Sequence, residues 1–234
     1  MCKKVWAIAK LNLKNIRVAY IITAAVIVGM SSNYIVDIIM TMNGVDMSGN
    51  ESVSIAWVLW LLPAFASILL PSRNFKRTMN LGGKRDNFFW GSLEVYAILA
   101  AVASLVGVIF NNTADAAYVN GRVYASIFTA PAVFGWADYG VFAEFFQQFA
   151  FLFLFAAFVH TLTAIQDKWF GWATDVLIIA IISVFTPIAP LRAALAWFFR
   201  AILFSRPLMQ IPVCMILALA IYSLNKVIFA RKAI

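Results

Sequence analysis

From Val141 to Ile165 the chain carries one carboxylate, one histidine and no lysine or arginine. At about 1.5 Å of rise per residue, an α-helix of that length covers a hydrocarbon core about 30 Å thick. Comparable apolar runs lie at about 18–40, 53–70, 91–110, 172–188 and 208–229. A bilayer core offers no water to unpaired peptide groups, so a crossing segment must satisfy its own backbone as a helix. The sequence therefore predicts an all-α integral membrane protein, a single domain over 1–234 with six transmembrane helices. Composition agrees: 64% of residues are hydrophobic and 12% charged, against about 25% charged in an average soluble domain. No polar interval is long enough to hold a soluble domain.

The net charge of +8 does not point to nucleic acid. The bases flank the apolar runs and do not line a polar face interleaved with stacking aromatics. Positive-inside orientation accounts for them better. With an even number of crossings, all of the 18 Lys and Arg except Arg122, Arg192, Arg200 and Arg206 fall on one side. The expected location is the cell membrane, multi-pass, with both termini cytoplasmic. Basic residues recur through the first 17 positions with no short apolar core and small-residue cleavage site after them, so a cleavable signal peptide is not expected. Cys2 and Cys214 form no C-x-x-C pair, and neither a disulfide nor a metal is expected.

Residues 1–17 read as an interfacial helix. Lys3, Lys10, Lys14 and Arg17 share one face, with Val5, Ala9, Asn12, Leu13 and Ile16 roughly opposite, the pattern of a helix lying on an anionic leaflet; a basic leader that merely fixes topology is the alternative. Pro63 is expected to kink the second span. Ser72 to Asn87, with Arg73, Lys76, Arg77, Lys84 and Arg85, is the most polar stretch and the strongest cytoplasmic signal. On the opposite side, Asn111, Asn112, Asp115 and Asn120 are expected in a loop, and Val123 to Phe134 is too short to cross. Gln166, Asp167 and Lys168 mark the return to the cytoplasm. Between Pro190 and the last span, Leu191 to Arg206 reads as a re-entrant or interfacial external helix, and Lys226, Arg231 and Lys232 anchor the C-terminal end.

Catalytic chemistry finds little to work with. The chain has one histidine, His160, which rules out a two-histidine metal site within it. Asp37, Glu94, Glu144 and Asp175 sit near span ends, where water or a basic neighbour can serve them, and do not form a carboxylate dyad. His160 lies deeper; it reads either as a proton site or as a histidine hydrogen-bonded to a neighbouring helix. Asn50-Glu51-Ser52 and Asn111-Asn112-Thr113 match the N-glycosylation pattern, which two polar loops produce easily by chance. No G-x-x-x-x-G-K-[ST] loop occurs: Gly82, Gly83 and Lys84 lack the earlier glycine and the following Ser or Thr. If ATP drives this chain, a separate subunit must bind it.

The segment Asn80-Leu81-Gly82-Gly83-Lys84-Arg85-Asp86-Asn87-Phe88-Phe89-Trp90-Gly91 resembles the cytoplasmic loop of permease subunits of ABC-2-type exporters from Gram-positive bacteria. In that family a Leu-Gly, two variable residues, an Arg and a Phe pair followed by Gly recur before the third span. Leu81, Gly82, Arg85, Phe88, Phe89 and Gly91 match, and Lys84 stands where a small polar residue is common. The resemblance implies a coupling helix within 72–90 seated on an ATPase subunit that holds ATP and Mg, and two permease chains, identical or not, per transporter. It implies docking residues Arg77, Leu81, Gly82, Gly83, Lys84, Arg85, Phe88 and Phe89. Read physically, a basic turn broken by two glycines and ending in a Phe pair offers charges and apolar anchors to a soluble partner; the alternative is a positive-inside loop that docks nothing.

The expected function is thus an ATP-driven permease subunit, not itself an enzyme, exporting an amphipathic peptide, lipid-like or drug-like substrate. Alternatives are a non-transporting immunity or scaffold protein and an ion-coupled carrier. The Phe-rich fourth span offers Phe145, Phe149, Phe153 and His160 as a substrate path, against the reading that its aromatics face lipid. Membrane lipid is the remaining expected partner.

Overall fold

The computed structural model describes residues 2–46, 49–121, 123–166 and 169–231; Arg122, Asp167, Lys168 and Lys232 lie outside the described residues. The chain is almost wholly helical. In order come α1 (Cys2–Asn15), α2 (Arg17–Met42), the short strand β1 (Glu51–Val53), a 3₁₀ turn (Ile55–Trp60) running into α3 (Leu61–Leu69), a wide π-type turn (Leu70–Asn74) and α4 (Phe75–Asn80). Next are α5 (Arg85–Phe110), a second wide turn (Asn111–Asp115), α6 (Ala116–Asn120), β2 (Ser126–Phe128), α7 (Ala130–Val133) and a 3₁₀ turn (Ala137–Tyr139). Then follow α8 (Val141–Ile165), α9 (Trp169–Phe185), α10 (Ala189–Leu203) and α11 (Pro207–Arg231). Among the described residues five helical units are long and apolar enough to cross a membrane, and six if the pair α9–α10, bent by 117°, counts as one.

α8 is the axis of the bundle, packed on α11, α5 and α3. It runs antiparallel to α5: Glu144 meets Asn111 at one end and His160 meets Tyr96 nearer the other. Burial is inverted relative to a soluble protein. Gln147, Gln148, His160, Gln210 and Asn225 are buried in the interior, while Val28, Ile35, Val176, Ile179, Leu208 and Ile216 are exposed on the outside. Apolar surface of that extent needs an apolar neighbour, and the buried polar groups hold the helices to each other by hydrogen bonds.

Helix ends differ from the apolar limits in four places. The second apolar run is helical to Asn80, not to 70. Pro71, which cannot donate, sits in the wide turn, where the Phe75 N–H reaches back to the Leu70 carbonyl and the Ser72 hydroxyl donates to the Ile68 carbonyl at 2.6 Å. Pro63 lies in the first turn of α3, where the 3₁₀ turn Ile55–Trp60 gives way to α-helix. The third run starts at Arg85 and is continued by Asn111–Asp115 and α6, so Asn111, Asn112, Asp115 and Asn120 are helical and not in a loop. The fifth ends at Phe185, two residues before Pro187, because a residue preceding proline is pushed out of the helical region. Val123 to Phe134 is too short to cross and contains α7. It supplies β2, paired in parallel with β1 in the register Glu51↔Ser126, Ser52↔Ile127, Val53↔Phe128.

α1 has a protein partner for its apolar face. Val5, Ala9, Asn12 and Ile16 are buried against α5, and the Asn12 amide points to Ser92 Oγ at 3.5 Å, while Lys3, Lys10, Lys14 and Arg17 remain exposed. Gly91 permits this approach: a Cβ there would stand 3.0 Å from Ile8 Cγ2 and 3.2 Å from both Ala9 N and Val5 O. Gly91→Val is expected to push α1 off α5 at a cost of about 1–3 kcal/mol. The measurement is thermal denaturation of the detergent-purified protein, with Gly29→Val, where an added Cβ would meet nothing within 4 Å, as the control.

Candidate functional site

The segment matching the exporter pattern forms the tip of a helical hairpin. α4 ends in a Schellman motif: the Gly82 N–H bonds to the Met79 carbonyl and the Gly83 N–H to the Thr78 carbonyl, both at 2.9 Å, with Gly82 at φ +78°. At Gly83 a Cβ would fall 2.8 Å from the Thr78 carbonyl oxygen. Each glycine thus has its own reason, a left-handed φ for Gly82 and close backbone approach for Gly83. Lys84 is extended and α5 begins at Arg85, with Asp86 at its positive end. The polar segment 72–90 thus holds the end of the Leu70–Asn74 turn, the short helix α4, a tight turn and the start of α5.

The tip brings Arg77, Leu81, Gly82, Gly83, Lys84 and Arg85 together. Leu81 is 69% exposed, and Arg73, Lys76, Arg77 and Lys84 are exposed around it. Phe88 and Phe89 are not on that surface. Phe88 is buried edge-on to Phe75 and Phe229, at ring-centroid distances of 5.3 Å and 5.5 Å, and Phe89 packs on Tyr222 at 4.7 Å. The helical repeat explains it: Phe88, Ser92, Val95, Leu99 and Ala103 share the core face of α5. Of the large apolar side chains in the matched segment, Leu81 and Trp90 are the exposed ones.

Two of the bases also tie the tip to the rest of the fold. Arg77 Nη1 donates to Asn15 Oδ1 at 3.2 Å, and Arg85 Nη1 donates to the Ala230 carbonyl at 2.5 Å in the last turn of α11. The ends of α1, α4 and α11 and the start of α5 thus meet at one end of the bundle, so both ends of the helical array lie on the same side.

Phe145, Phe149 and Phe153 form a ladder along one face of α8, with centroids 6.3 Å and 6.0 Å apart and rings nearly parallel. Phe142, Phe146, Phe155 and Phe158 point outward and are exposed. His160 belongs to another cluster. It is buried, its Nδ1 hydrogen-bonds the Tyr96 hydroxyl, and Tyr222 and Phe229 flank its ring. This is the geometry of a histidine bonded to neighbouring helices.

Apolar length alone does not reveal the interior polar network. Asn225 Nδ2 donates to Thr161 Oγ1 at 2.7 Å and the Tyr222 hydroxyl to the Phe89 carbonyl at 2.7 Å. At the opposite end of α8, Gln147 Nε2 donates to Gln210 Oε1 at 2.5 Å. Glu144 is buried and takes neutral donors, Asn111 Nδ2 at 3.2 Å and Asn112 Nδ2 at 3.5 Å, while Ser54 Oγ donates to Asn111 Oδ1 at 3.3 Å. Asp37 accepts from the Tyr124 hydroxyl and Asp175 from Gln166 Nε2. These carboxylates thus accept from amides and a phenol. Burial, and then the hydrogen bond to Asp37, push the Tyr124 phenol up, so it remains a donor at neutral pH. The sequence signal that could have found this network is the placement of Gln147, Gln148, Gln210 and Asn225 within otherwise apolar runs.

Beside Gln210 the α10–α11 turn borders a cavity of about 450 Å³. It is lined by Tyr139, Trp197, Arg200, Phe204, Arg206 and Met209 among others, and by none of the Phe ladder. No family model, curated protein or solved structure matches the chain.

Proposed function

We propose that the chain is the membrane-embedded permease subunit of an ATP-driven exporter, with its hairpin tip at Leu81–Lys84 seated on a separate ATPase subunit in the cytoplasm. The observation that supports the reading is the tip itself, a Schellman-capped turn presenting the exposed Leu81 between the exposed bases Arg77 and Lys84. A protein partner is gripped by such a combination of central apolar anchor and charged rim. The resemblance of 80–91 to the exporter loop supports the same reading, as does the absence from the sequence of a phosphate-binding loop. The exposed apolar faces of α2 and α9 are the surfaces for lipid and for a second permease chain. The cargo is an amphipathic peptide, lipid-like or drug-like molecule; ATP and Mg are held by the ATPase subunit.

The test is purification of the full chain from its native membranes, with identification of any ATPase subunit that it retains. Leu81→Asp changes an exposed side chain and is expected to leave the melting temperature within about 2 °C, since such surface changes stay within about 0.5 kcal/mol. It should reduce retention of the ATPase at least about tenfold, as loss of a central anchor worth 2 kcal/mol or more does. Undiminished retention by Leu81→Asp, or no ATPase bound by the wild type, overturns the reading.

A further inference from the structure

The cavity beside the α10–α11 turn lies at the end of the bundle opposite the hairpin tip, since Gln147 and Gln210 join there and Glu144 lies one helical turn away on α8. Its wall is divided by chemistry. Trp197 (66% exposed), Phe204 and Met209 give an apolar side, and Arg200 and Arg206, both exposed, give a cationic one. No carboxylate lines it. The nearest acid in sequence, Asp138, turns its Oδ2 back over Gly135, 3.7 Å from where a Cβ would sit.

The turn carrying the arginines is held rigidly. Trp136 Nε1 donates to the Leu203 carbonyl at 2.7 Å, Gln210 Nε2 to the Ile202 carbonyl at 2.9 Å and Gln147 Nε2 to the Ser205 carbonyl at 3.2 Å. The Ile202, Leu203 and Ser205 carbonyls are thus taken by side chains of α11, of the segment before α8 and of α8. The two guanidinium groups therefore stand on a preorganised frame. The Met209 and Gln210 N–H groups both return to the Arg206 carbonyl, and recognition falls to the arginines. From Met209 an exposed stripe continues down α11 through Pro212 and Ile216, one helical face at i, i+3 and i+7.

We infer that this cavity binds an anionic phospholipid, its phosphate held by Arg200 and Arg206 and one acyl chain laid along Trp197, Phe204 and the Met209–Ile216 stripe. Planar guanidinium groups match phosphate oxygens in bidentate geometry, and Trp, Tyr and Arg together are the side chains suited to headgroup depth. The inference rests on the chain lying in a bilayer and is independent of any ATPase.

Native mass spectrometry of the detergent-purified full chain tests it, with dioleoylphosphatidylglycerol, dioleoylphosphatidylcholine and inorganic phosphate as separate probes. Phosphatidylglycerol is expected to stay bound. The double variant Arg200→Gln/Arg206→Gln should weaken it at least about tenfold, equivalent to about 1.4 kcal/mol. Trp197→Ala, with both arginines intact, should weaken it as well, because the acyl chain loses its wall. Inorganic phosphate should not displace the lipid, and phosphatidylcholine should bind more weakly because its headgroup has no net charge. Retention of phosphatidylglycerol by both variants, equal binding of phosphatidylcholine, or displacement by phosphate overturns the inference. These readouts are indifferent to ATPase retention by Leu81→Asp, so the two proposals fail separately.

Discussion

Phe88→Ala is expected to destabilise the protein by about 3–5 kcal/mol, the range for emptying a buried phenylalanine site, and to lower the melting temperature by about 6–20 °C on the scaling for chains of this size. Phe75, Phe88 and Phe229 form a closed triad: Phe75 and Phe229 stack at 4.8 Å with Phe88 edge-on to both. These rings belong to α4, α5 and α11, so one truncation loosens three helices at once. The measurement is thermal denaturation of the detergent-purified protein, with Leu81→Ala as the control from the same hairpin. Leu81 is exposed, and its truncation should stay within about 0.5 kcal/mol. If Phe88 were instead a surface anchor for a partner, its variant would melt like the wild type and lose only the partner.

The contrast between Leu81 and Phe88 shows what the sequence made legible. α8 has the limits its apolar run predicts, because Gly140, at φ +85°, and Gln166 bound it on both sides. Hydropathy marks where an apolar run stops, however, and a helix can outlast it. The Leu70–Asn74 turn with Arg73 leads into α4 with Lys76 and Arg77, and α6 follows Asn111 and Asn112, because polar side chains on the outer face leave the backbone ladder intact. The periodicity of α1 separated its basic face from its apolar face, yet could not say that α5 covers the latter; that depends on the missing side chain of Gly91. Within the matched segment, the motif marked Phe88 and Phe89 together with Leu81. Only the spacing of Phe88 with Ser92, Val95 and Leu99 assigns Phe88 to the core. A motif groups residues by proximity in sequence, and a helix sends neighbours in different directions.

The polar interior is where a second large effect is expected, at Glu144. In Glu144→Ala the Asn111 amide loses its acceptor within a closed interior. An unsatisfied buried donor costs about 1–3 kcal/mol and the cavity adds to it, so a loss of about 2–4 kcal/mol follows. Asn112 suffers less, because its Nδ2 keeps the Val108 carbonyl at 2.9 Å. Glu144→Gln should fall between wild type and Ala. Its amide oxygen can accept from Asn111, but its nitrogen then faces the Asn112 amide, donor against donor. The double variant Glu144→Leu/Asn111→Leu removes both ends of the principal contact, and its destabilisation should fall short of the summed single variants by about 1 kcal/mol or more, the coupling of a buried hydrogen-bonded pair. Ser54 keeps this recovery incomplete, since its hydroxyl loses Asn111 Oδ1 while still accepting from the Ala56 N–H. Thermal denaturation of the four proteins in one detergent reads the cycle. Strict additivity would mean that Glu144 and Asn111 do not bond, and the link between α5 and α8 at that end would have to be sought elsewhere.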